Sequence, residues 1–164
     1  MDAIDVVLTE FDNEKIRDIC SLSIPYGVSE KQKIDYLRKI TVEQKIPAQE
    51  LIKNAFFIET HKQYIEGVAS AVNELCRRNN IAKKSIDAIG FHGKTLDHNP
   101  PSLAKINKTR PFTTQMGSAQ LLANMTGIPV INDFRSDLLI NGFEGAPLAA
   151  PLRSFELRPF NFPS

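Results

Sequence analysis

The sequence predicts an α/β fold, and three observations carry that expectation. An apolar run, Ile128 to Ile131, reads as leading into a strand end that presents Asp133, Arg135 and Asp137 and passes directly into a glycine loop, Gly142 to Gly145. Strand-like and helix-like segments alternate, strand–helix–strand being repeated along the chain. With 164 residues, 42% of them hydrophobic and ten of them Phe, the chain is long enough and apolar enough for one domain with a substantial core.

Each element has its own local reason. Ile4 to Phe11 is β-rich, Asp12-Asn13-Glu14 reads as a turn, and Ile16 to Ile24 alternates apolar residues into Pro25, so a hairpin opens the fold. Ser29 is placed to cap a helix through Ile40, with Glu30 in its first turn. Pro47 opens a second helical stretch. There Ile65, Val68, Val72 and Leu75 fall on one helical face and are candidate core, and Asn79-Asn80 ends the helix. Ser85 to His92 reads as a short strand, with His92-Gly93-Lys94-Thr95 at its end and Asp97 and His98 in a loop beyond. Asn99-Pro100-Pro101 and the basic run Lys105 to Arg110 read as a mobile loop leading to Phe112-Thr113-Thr114-Gln115. Ser118 is placed to cap a helix through Met125, Gly127 to stop it, and Pro129 to Asn132 to form the next strand. The Pro-rich tail, 151–164, lacks periodicity and is expected to be poorly ordered.

Chemistry is expected where the strands end. Asp133 and Arg135 are two apart, so an extended backbone would set them on one face, the carboxylate to take a proton and the guanidinium to fix it or hold an anion. A structural ion pair is the alternative for an isolated D-x-R. Gly142 and Gly145 would let the backbone approach a phosphate closely. His92, Lys94 and Thr95 offer the donors and acceptors that carbohydrate hydroxyls need, whereas His92, Asp97 and His98 match no familiar zinc spacing. His61 has no partner at ligand spacing and reads as an ordinary surface or packing histidine.

Several function classes lose support from composition. A formal net charge of +1 gives no long-range field for nucleic acid or an anionic membrane, and an RNase H-like nucleic-acid-binding module also lacks interleaved aromatic residues. No apolar segment reaches the length of a signal peptide or a membrane span. Cys20 and Cys76 are far apart in sequence, so a reducing cytoplasm is the simplest home.

Four motifs in one order, Ile89-Gly90-Phe91-His92-Gly93-Lys94-Thr95, Thr114-Gln115-Met116-Gly117, Asn132-Asp133-Phe134-Arg135 with Asp137, and Gly142-Phe143-Glu144-Gly145-Ala146-Pro147-Leu148, resemble the anhydro-N-acetylmuramic acid kinases. Met1-Asp2-Ala3-Ile4-Asp5 is similar to the end of that family's first nucleotide-binding loop. The resemblance covers nearly all of the chain but only the amino-terminal half of a family member. It implies an actin-like (RNase H-like) ATPase fold with mixed β-sheet and flanking helices, residues 1–150 being the amino-terminal lobe and the second domain absent. ATP and an anhydro-amino-sugar would share the interdomain cleft. The 1,6-anhydro bridge would be hydrolysed and the released 6-hydroxyl phosphorylated, a step of peptidoglycan recycling.

On the same resemblance Asp133 is the catalytic base, with Asp137 in reserve. His92, Gly93, Thr95, Gln115 and Arg135 surround the sugar, and Asp2 and Asp5 lie near magnesium and phosphate. Two expectations follow for the polypeptide. Either it acts as a kinase when completed by a separately encoded carboxyl-terminal half or a homodimer partner, or it is a catalytically silent remnant that at most binds sugar.

Overall fold

The computed structural model describes residues 3–12, 15–44, 46 and 48–145, apart from the side chains of 48, 49 and 137. Strands β1 (Ala3–Asp12) and β2 (Lys15–Pro25) form the opening antiparallel hairpin, in register from Ala3↔Pro25 to Asp12↔Lys15 with an irregularity at Leu8/Thr9. Ile4 and Val6 point inward and Val7 outward, as a period of two requires.

Helix α1 (Val28–Gln44) begins one residue before the serine expected to cap it. Ser29 lies inside the first turn, and Glu30 turns back so that its carboxylate accepts the Gly27 N–H at 2.8 Å. This is the acidic half of a capping box, which satisfies an amide that the helix leaves orphaned. Ile34, Leu37 and Ile40 form its buried face.

The second helical stretch is broken in two, α2 (Ala48–Leu51) and α3 (Ala55–Arg78). Asn54 makes the break, because its side-chain oxygen accepts the Phe57 N–H at 3.1 Å and so restarts the helix. Ile65, Val68, Val72 and Leu75 are all buried on α3 as their spacing predicts.

After a 3-10 turn at Lys83–Ser85 the chain alternates between strands and helices. β3 (Ile89–Phe91), β4 (Lys94–Asn99), α4 (Pro101–Asn107), β5 (Phe112–Met116), α5 (Ala119–Thr126), β6 (Val130–Asn132) and α6 (Ser136–Ile140) follow in order. Two expectations change here. Asp97 and His98 belong to β4 rather than a loop, because the left-handed Gly93 (φ +68°) reverses the chain and lets β4 pair with β5. Lys105 lies in α4, where Pro101 starts a helix that the left-handed Lys108 (φ 52°) ends, so only the last part of the basic run is irregular.

The α/β class holds, and the strands among the described residues pair as three two-stranded ladders, β1–β2, β3–β6 and β4–β5. Only β3–β6 is parallel. One cluster, including Leu37, Leu51, Phe57, Leu96 and Met116, joins α1 and α3 to β4–β5. A second, including Ile65, Phe91 and Leu122, joins α3 to β3 and α5, with Ile4 of β1 and Val130 of β6 packed against it. No described helix is long and apolar enough to cross a membrane.

Candidate active site

The parallel pair β3–β6 sets Phe91 opposite Asn132, so the residues that leave the two strands, His92 and Asp133, both follow the same carboxyl edge. This is the edge where parallel sheets present ligand-binding groups. Asp133 is exposed and adopts φ +63°, a left-handed conformation that Asp tolerates better than most residues. A turn follows, so Asp133 and Arg135 do not share a face of extended chain as expected; the left-handed residue breaks the period of two.

The turn after β3 is built by close approach. A Cβ on Gly93 would lie 2.7 Å from the Met116 carbonyl oxygen, and one on Gly117 would lie 2.7 Å from the Phe91 ring and 3.2 Å from the Gly93 Cα. Two motifs separated in sequence are therefore one packed unit. Gln115 ties them further: its amide Nε2 donates to the His92 carbonyl at 2.8 Å, and its Oε1 accepts from Thr113 Oγ1 at 3.0 Å. Thr95 pairs with Gln115 across β4–β5, so His92, Gly93, Thr95 and Gln115 are brought together.

Arg135 and the glycine loop form a second group. Arg135 is half-buried, and its Nη1 donates to the Gly145 carbonyl at 3.1 Å. Gly142 (φ +80°) closes α6: the Gly142 N–H reaches Leu139 O at 3.1 Å and the Phe143 N–H reaches Leu138 O at 2.9 Å, the paired bonds of a Schellman motif. Gly145 is buried, and a Cβ there would lie 2.9 Å from Leu139. Both glycines thus answer demands within the chain itself.

A family model described as anhydro-N-acetylmuramic acid kinase matches residues 1–158. The chain belongs to that family.

Other positions expected to act in this family member divide by location. Asp5 is exposed on β1 and pairs with Ser23, while Asp2 lies outside the described residues. Asp137 lies in α6, its side chain outside what is described, and the 151–164 tail is outside the described residues altogether. His61 is half-buried, packed edge-on to Phe57 with ring centroids 5.5 Å apart, and burial pushes its pKa below the ordinary value. Among the described residues no group of three His, Cys, Asp or Glu lies close enough to hold a metal ion.

The contacts of Tyr26, His98, Ser102 and Glu144 escaped the sequence. At Tyr26 burial, then the charges of Asp5 and Glu30, push the hydroxyl pKa up, and the Lys94 ammonium lies 5.0 Å over its ring. His98 Nε2 meets the Glu144 carbonyl at 2.9 Å. Ser102 donates to the Glu144 carboxylate from its backbone N–H at 3.2 Å and its hydroxyl at 2.8 Å. The sole advance signal was Pro101 opening a helix, since the contacts of Glu144 with His98 and Ser102, and of Lys94 with Tyr26, join residues more than forty positions apart.

Proposed function

We propose that this chain provides the sugar-facing lobe, residues 1–150, of an ATP-dependent anhydro-N-acetylmuramic acid kinase of actin-like fold, working in the cytoplasm in peptidoglycan recycling. The observation that carries the proposal is the β3–β6 register, because it supports one edge shared by His92 and the exposed Asp133 in a chain of this family. Asp133 takes a proton from the water that attacks the anomeric carbon, and the C1–O6 bond breaks. The freed 6-oxygen then attacks the γ-phosphorus of ATP, ADP leaves, and the 6-phosphate forms.

The chain's own residues orient the sugar. His92 and Thr95 offer polar contacts at the turn that Gln115 braces, and Arg135 holds anionic character near the edge. Magnesium would enter with ATP, neutralising phosphate charge while the Asp2 and Asp5 carboxylates hold it, one or two carboxylates being sufficient when phosphates supply further ligands. Gly142 and Gly145 are proposed on the phosphate side. Gly142 suits this better, because no atom lies within 4 Å of the point where a Cβ would stand, leaving its outer face open.

The test combines the purified chain with ATP, magnesium and anhydro-N-acetylmuramic acid, with and without a separately encoded carboxyl-terminal half. Mass spectrometry is expected to find the 6-phosphate when both lobes are present. Sugar binding by calorimetry without product in any mixture would make the chain a silent sugar binder, and no binding at all would defeat the proposal.

A further inference from the structure

We propose that Glu144, clamped by His98 and Ser102, is a positioning residue that sets Arg135 from outside the catalytic segment. The inference rests on the proposed sugar-edge role of Arg135. Glu144 is held at both ends. Its carbonyl can only accept, so His98 must carry its ring proton on Nε2, and the 2.9 Å contact is then N–H to carbonyl. Its carboxylate accepts both donors of Ser102 at the start of α4.

The next residue, Gly145, offers its carbonyl to Arg135 Nη1, and Leu139 and His98 crowd it so closely that no side chain fits. The guanidinium therefore rests on a carbonyl that Leu139 of α6 crowds and that β4 and α4 hold in place through the neighbouring Glu144. Arg135 Nε is buried without a hydrogen-bond partner, so the head group has little else within the described residues to orient it.

Hydrogen exchange reads the clamp without substrate. The Gly142 and Phe143 amides, bonded to Leu139 and Leu138, report opening of the loop. Ser102→Ala and Glu144→Ala are each expected to speed their exchange about fivefold per hydrogen bond removed, leaving the α3 amides unchanged. Glu144→Gln keeps an acceptor for Ser102 and should stay within about twofold of the parent. Unchanged exchange in Glu144→Ala, or equal loss in Glu144→Gln, overturns the clamp.

A double-mutant cycle then reads the positioning role through the dissociation constant of anhydro-N-acetylmuramic acid. Glu144→Ala should weaken binding in the parent and have no further effect in an Arg135→Ala background. Additive losses overturn the coupling to Arg135. If the parent binds no sugar while exchange responds as stated, the proposed function fails and the clamp stands.

Discussion

At Asp133 the backbone and the chemistry make separate demands. The side chain is exposed, so removing its charge leaves no buried partner stranded, and Asn tolerates the same left-handed conformation. Asp133→Asn should therefore fold with an unchanged melting temperature and abolish turnover in the two-lobe kinase; unchanged kinetics would move the base to Asp137. Gly117 is constrained differently. At φ +148°, with Phe91 and Gly93 closing on it, Gly117→Ala should cost about 2 kcal/mol or more in urea unfolding. His61 supplies a pH test. Burial lowers its folded-state pKa from the ordinary 6.5, so below about that pH the unfolded chain binds a proton that the folded chain refuses. Stability should thus fall as pH drops through 6.5, and the urea midpoint of His61→Leu should lose that part of the dependence.

Among the elements, the helix ends were harder to anticipate than the helix faces. The apolar face of α3 follows from periodicity, but its start depends on whether Asn54 caps or simply continues the pattern from Pro47. Asn54→Ala removes the acceptor for Phe57 and should cost about 1 kcal/mol in thermal or urea unfolding, helicity remaining near that of the parent. For α5 both signals were local and agreed. Ser118 accepts the Leu121 N–H at 3.2 Å, and Gly127 adopts φ +74° at the other end. In α1 two acceptors competed within one turn, and Glu30 reached the free Gly27 amide while Ser29 was drawn into the helix.

For the whole molecule, packing links regions that local sequence leaves independent. Leu37 is fully buried in the cluster that contains Leu96 of β4 and Met116 of β5, so α1 supports the antiparallel pair bearing Thr95 and Gln115. Leu37→Ala should destabilise the protein by about 2–5 kcal/mol, measured by urea unfolding, although it lies outside every candidate motif. By itself the sequence determined the α/β class, the opening hairpin, the buried face of α3, the caps of α5 and the strand that delivers Asp133, because each depends on neighbours within a turn or a period of two. Tertiary structure alone decided that the three ladders separate, that Gly93 and Gly117 meet, and that Glu144 answers to His98 and Ser102. Those outcomes turn on steric fit and hydrogen bonds between residues distant in sequence, which no local pattern encodes.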